Sequence, residues 1–240
     1  MWNKIFFWIF SAYLVVQSSQ TILVQQTHSP RRLESSFNSE ERICMVRNVC
    51  DNVINEEHRQ DQRNCIFLYS IEKLTTIANQ TVDEGVIMFQ KVLQNTTLIN
   101  SKSSELHRLL GEIDQYVKRV KKFELHPDFE NPGHLFNMTV ELSDILDNFN
   151  ITNVKYLTVP IEYIEAALQK NGLEQLNINF EQRFLTFSRT FEKIVDNYIV
   201  SLKQNHCGTD QPLQEWFNKF KAEKNVNNKV LHFEKFYDLY

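Results

Sequence analysis

Five glycines and five prolines are spread over 240 residues, and that scarcity constrains the fold more than any motif. Strand-rich and loop-rich domains need a tight turn every ten residues or so, and those turns draw on Gly and Pro. A chain with so few of them is built from elements that need few special turns, which are helices. The hydrophobic fraction of 42% and aromatic fraction of 12% are too rich for a disordered chain. The expected fold class is therefore all-α: a single disulfide-clipped bundle of about six to eight helices.

Periodicity places those helices. Asn38-Ser39-Glu40-Glu41 sets a capping side chain three residues ahead of a glutamate, and Ile43, Val46, Cys50, Val53 and Ile54 then recur at helical spacing. The polar run Glu56–Asp61 predicts a turn. Cys65, Leu68, Tyr69 and Leu74 predict a second helix to about Ala78, and Val82, Val86, Phe89 and Leu93 a third. The cleanest stripe is Leu106, Leu109, Ile113, Tyr116, Val120 and Phe123. It alternates steps of three and four, but it is too short for a coiled-coil seam, and Leu110 and Val117 widen it into an ordinary bundle-facing surface.

Leu125 to His134 holds two prolines and a glycine and predicts a loop. Val140, Leu142, Ile145, Leu146 and Phe149 form the next helix, and Val154–Leu157 has the pattern of a short strand. Thr158 and Pro160 then open a helix carrying Ile161, Ile164, Ala167 and Leu168, which Asn171-Gly172 ends. Phe180, Phe184, Phe187, Phe191, Ile194, Tyr198 and Leu202 describe what should be the longest helix. Asp210 and Pro212 start a final one with Leu213, Trp216, Phe217 and Phe220, and an aromatic tail from Val230 to Tyr240 is expected to pack back.

The N-terminal residues set the expected compartment. Lys4 precedes a run from Ile5 to Val16 that is apolar except for Ser11, and small and polar residues follow. A cation, a short apolar core and a polar exit are the parts of a signal peptide, and the run is shorter than the roughly 20 apolar residues a spanning helix needs. The expected organisation is residues 1–20 as signal peptide, 21–37 as a flexible arm and 38–240 as a secreted helical domain. Arg31-Arg32 in the arm is a weak processing motif. The formal net charge of −4 argues against nucleic acid as a partner. No membrane span is expected in the mature chain.

Secretion gives the four cysteines a meaning. Cys44, Cys50, Cys65 and Cys207 are read as two disulfides. Cys44 and Cys50 lie about 9 Å apart along one expected helix and cannot bond to each other. A hairpin turning near Glu57 would set Cys50 opposite Cys65, so the expected pairs are Cys50–Cys65 and Cys44–Cys207. Cys44–Cys65 with Cys50–Cys207 is the second choice. Four sequons, at Asn79, Asn95, Asn137 and Asn150, are expected to carry N-linked glycans at helix ends. From Asn153 onward the chain carries none, which marks that stretch as the side open to a protein partner.

Catalytic signatures do not emerge. There is no Gly-x-Ser-x-Gly elbow, phosphate-binding glycine loop, His-Glu-x-x-His or dinucleotide fingerprint, so neither an enzyme nor a cofactor is expected. His126, Asp128, Glu130 and His134 are the one His-carboxylate cluster, but a proline-rich loop supplies no fixed ligand geometry, and no metal site is assigned. Glu162 and Glu165 read as solvated helix surface. The first expectation for function is non-catalytic binding to an extracellular protein. The alternative is a carrier that holds a small apolar ligand between helices, lined by Phe180, Phe184, Phe187, Phe191, Trp216 and Phe217.

Overall fold

The computed structural model describes residues 56–124, 132–149, 158–204 and 209–240. Among the described residues there are eight helices and no strand. They are α1 (Glu56–Leu93), α2 (Thr96–Ile99), α3 (Ser104–Glu124), α4 (Pro132–Asn148), α5 (Val159–Lys170), α6 (Leu173–Gln204), α7 (Gln211–Ala222) and α8 (Val226–Tyr237). The leader, the arm with Arg31-Arg32, Cys44, Cys50, Cys207, Asn150 and the Val154–Leu157 stretch lie outside the described residues. The expected disulfides, each with at least one partner there, are not seen.

Two expected breaks are absent. Glu56–Asp61 begins α1 instead of forming a turn, and the helix passes Ala78 without interruption for 38 residues, longer than the 32 of α6. Both segments lack Gly and Pro, and Glu, Arg and Gln favour helix. Polar residues alone do not end a helix when nothing in the run breaks the backbone. With Glu57 helical, the hairpin that set Cys50 opposite Cys65 loses its turn. α4 also starts earlier than expected: Pro132 opens it, since a first-turn proline sacrifices no intrahelical bond, and this brings Leu135 and Phe136 into the core.

Elsewhere the local signals hold. Gly172, with φ of 115°, adopts the left-handed conformation that separates α5 from α6. Thr158 takes the N-cap position of α5, though its hydroxyl makes no capping bond. The Asp210 carboxylate caps α7 by accepting from the Leu213 N–H, and Asn225 does the same for α8 through the Asn228 N–H.

The described chain divides into two compact units, one spanning Thr75–Phe184 and the other made of residues up to Leu74 together with Leu185–Tyr240. In the first, α1, α3, α4, α5 and the start of α6 bury Phe89, Ile113, Tyr116, Leu142, Phe149 and Leu168 in one cluster. Phe89 meets Tyr116 edge-on at 5.6 Å between ring centroids, and the Tyr116 hydroxyl donates to the Met138 carbonyl at 3.1 Å. All of the α3 stripe is buried except Phe123, which is partly covered and packs against His134 at 4.4 Å. Gly85 lets α1 approach α4 closely, because a Cβ there would stand 2.6 Å from a methyl of buried Leu142.

The second unit is cored by rings. Phe191 of α6 lies 6.0 Å from Trp216, 5.0 Å from Phe233 and 5.2 Å from Phe236. The Trp216 indole N–H donates to the His232 carbonyl at 2.7 Å, tying α7 to α8. The aromatic tail does pack back, as α8, with Val230, Phe233, Phe236 and Tyr237 buried. Ile194 is only half-buried, and neighbouring Val195 takes the core position.

Candidate binding surface

α5 is a short helix with two unlike faces. Ile164, Ala167 and Leu168 are buried, and Ile161 packs partly against the same cluster. At 100° per residue, Val159, Tyr163, Ala166 and Lys170 fall on the opposite arc. All four are exposed, and Val159 and Tyr163 each keep 58% of their surface. Two large apolar side chains one turn apart thus face outward from a helix that has already satisfied its core, and both lie in the stretch after Asn153 that carries no sequon. Helical periodicity singles out Ile161, Ile164, Ala167 and Leu168 and gives this pair no separate weight. The signal was present as apolar residues left over at i and i+4 on the far side of the helix.

The six residues of the apolar-ligand alternative do not form one group within either unit. Phe180 and Phe184 belong to the first, where their rings stack at 6.4 Å. Phe187, Phe191, Trp216 and Phe217 belong to the second. All six are buried. In the second unit Phe187 meets Phe191 at 5.5 Å and Phe233 at 5.1 Å, and Trp216 stacks on Phe220 at 5.1 Å. These are ordinary offset and edge-to-face distances for packed rings.

A buried polar cluster that the sequence did not disclose also lies in the second unit. The Asp210 carboxylate, 8% exposed, is paired with the Arg63 guanidinium at 3.2 Å and accepts from the Tyr198 hydroxyl at 3.2 Å. Arg63 donates to the Leu239 carbonyl at 2.8 Å and lies over the Tyr240 ring at 4.8 Å. Burial, and then the adjacent Asp210 charge, push the Tyr198 phenol well above its usual range. This arrangement joins the start of α1 to the cap of α7 and the end of the chain. Every charge in it is matched, so it reads as a structural clasp.

The other candidate residues are dispersed. Cys65 is half-buried on α1. Asn79 and Asn137 are inside α1 and α4, not at helix ends as expected, whereas Asn95 does lie at a helix boundary, before α2. Glu162 is exposed and Glu165 half-buried. Among the described residues, no group of three or more His, Cys, Asp or Glu side chains could hold a metal, and no helix is long and apolar enough to cross a membrane. Comparison of the chain with protein-family models, curated proteins and solved structures finds no match.

Proposed function

We propose that this chain is a secreted, N-glycosylated and disulfide-bonded helical protein that acts by non-catalytic binding to an extracellular protein, through the outer face of α5. The observation that carries the reading is the exposure of Val159 and Tyr163 together on a helix whose other face is buried. Tyrosine is among the residues that carry a disproportionate share of the energy at protein interfaces, and Val159 adds apolar area beside it. Lys170 on the same arc provides a polar edge. The N-terminal leader pattern and the sequon-free stretch support the compartment and the choice of face.

The test replaces Tyr163 with a photo-crosslinking phenylalanine analogue in protein made by secreting cells, with the same group at exposed Arg108 of α3 as control. In the native extracellular fluid, position 163 should give one discrete protein adduct, and Val159→Asp in the same chain, with the analogue kept at 163, should sharply reduce that capture without changing thermal stability. Equal labelling from positions 163 and 108, or none from 163, refutes the assignment. The alternative of an apolar carrier would appear as a small molecule extracted from the purified protein at about one per chain. The ring-on-ring contacts of Phe187, Phe191 and Trp216 support a packing role for those side chains instead.

A further inference from the structure

The three described sequons differ in how the folded chain holds them. Asn79 lies inside α1, and its Oδ1 is fully buried without a hydrogen-bond partner. Asn79 sits at the edge of the core: of its helical neighbours Val82 is fully buried and Thr75 mostly covered, while Thr76 and Asp83 are exposed, and the Thr81 hydroxyl is turned inward to donate to the Ile77 carbonyl at 2.8 Å. Asn137 lies inside α4 beside fully buried Phe136, and the Thr139 hydroxyl, also buried, donates to the Leu135 carbonyl at 2.8 Å. Its helical neighbours Gly133, His134, Val140 and Glu141 are each at least half covered, and Glu141 is ion-paired with Arg119 of α3. The backbone carbonyl next to Asn137, that of Met138, accepts the Tyr116 hydroxyl. That side of α4 is turned toward α3.

Asn95 is different in each respect. It lies in the connection between α1 and α2, with Gln94, Thr96, Thr97, Ile99 and Asn100 all exposed around it. Its Oδ1 accepts the Thr97 N–H at 3.0 Å in a solvent-facing turn. That bond engages the acceptor side of the amide and not Nδ2, the atom that carries a sugar. A bulky, hydrated glycan fits a surface connection and not a packed helix face. A sugar on Asn79 would instead have to displace the buried Oδ1 and crowd a side of α1 that is buried at Val82 and Val86.

We infer that, of the three described sequons, Asn95 alone carries an N-linked glycan in the folded protein. Thr81 and Thr139 serve as core residues whose hydroxyls are satisfied by the preceding turn. This inference rests on the reading of the chain as a secreted protein, and it narrows the four-site expectation.

The experiment uses two versions of the full chain in glycosylating cells, one with its own leader and one behind a heterologous signal peptide. The folded, secreted material is treated with peptide N-glycosidase in 18O-water, and each asparagine is scored by peptide mass spectrometry. Asn95 should be converted and labelled, with Asn79 and Asn137 recovered unmodified. In an Asn150→Gln background, Asn95→Gln should collapse the protein to its deglycosylated mobility, while Asn79→Gln and Asn137→Gln should leave mobility unchanged. Occupied Asn79 or Asn137 in folded protein, or unmodified Asn95, overturns the inference. Failure of the native leader alone to export the chain counts against the secreted reading, and the heterologous leader still decides which asparagine is used.

Discussion

Adding one methyl group to α3 should stabilise the protein, whereas adding one to α1 should not. Gly85 and Gly111 are both helical glycines, and replacing a helical Gly with Ala gains about 1 kcal/mol by removing backbone freedom from the unfolded chain. At Gly111 nothing lies within 4 Å of the new Cβ, so Gly111→Ala should realise that gain. At Gly85 the new Cβ would stand 2.6 and 2.8 Å from the two Leu142 methyls and 3.3 Å from its Cγ. That is roughly 1 Å inside normal carbon contact. Leu142 is fully buried, so its methyls cannot swing into solvent. Overpacking of this kind costs about 1–3 kcal/mol, which cancels or outweighs the helix gain. The two variants should therefore differ by about 1–3 kcal/mol, with Gly111→Ala the more stable. Urea unfolding followed by far-ultraviolet circular dichroism measures this as a raised midpoint for Gly111→Ala and an unchanged or lowered one for Gly85→Ala, at unchanged slope. Leu142→Ala alone should cost about 2–5 kcal/mol, and in that background Gly85→Ala should become stabilising because the clash is gone. A Gly85→Ala variant that stabilises the protein as much as Gly111→Ala, or that behaves identically with and without the Leu142 side chain, would refute the close approach of α1 to α4.

Further outcomes follow from the second unit and from the buried phenols. Asp210→Ala strands the Arg63 charge and the Tyr198 hydroxyl and removes the α7 cap. It should lower stability by about 2–4 kcal/mol, somewhat below a fully buried pair because Arg63 retains partial exposure. Asp210→Asn, which preserves the cap, should cost less, and equal losses would count against the clasp. Burial raises the phenols of Tyr116 and Tyr237 above their ordinary value of 10.0. The unfolded chain thus releases those protons first, so stability is intact below pH 10 and falls above it by about 1.4 kcal/mol per pH unit for each tyrosine. Tyrosinate absorbance at 295 nm should show these residues ionising only together with loss of helical signal, and their smooth titration in folded protein would contradict the burial. With the turn at Glu57 gone, disulfide connectivity is open, but protein from secreting cells should show no thiol reactive with Ellman's reagent after unfolding in denaturant. A free Cys65 would count against the disulfide part of the proposal.

What the sequence determined by itself was everything that depends on near neighbours along the chain. Scarcity of Gly and Pro set the all-helical class, spacing of three and four placed the buried stripe of α3, and Asn171-Gly172 and Asp210 marked an end and a start. These signals act within one or two turns, so they survive without a partner. The errors came where a local cue was ambiguous until another helix was present. Polar residues at Glu56–Asp61 and Asn79–Thr81 read as breaks, yet neither run contains Gly or Pro, and at Asn79–Thr81 the packing of Ile77, Val82 and Phe89 carries α1 through it. In the same way, Val159 and Tyr163 became a candidate surface only after Ile164, Ala167 and Leu168 took the core side of α5. Asp210 became a buried anchor only once Arg63, about 150 positions earlier in the chain, reached it. Which apolar residues are left exposed, and which charges are brought inside, is decided by contacts between residues far apart in sequence. Periodicity along one helix carries no information about them.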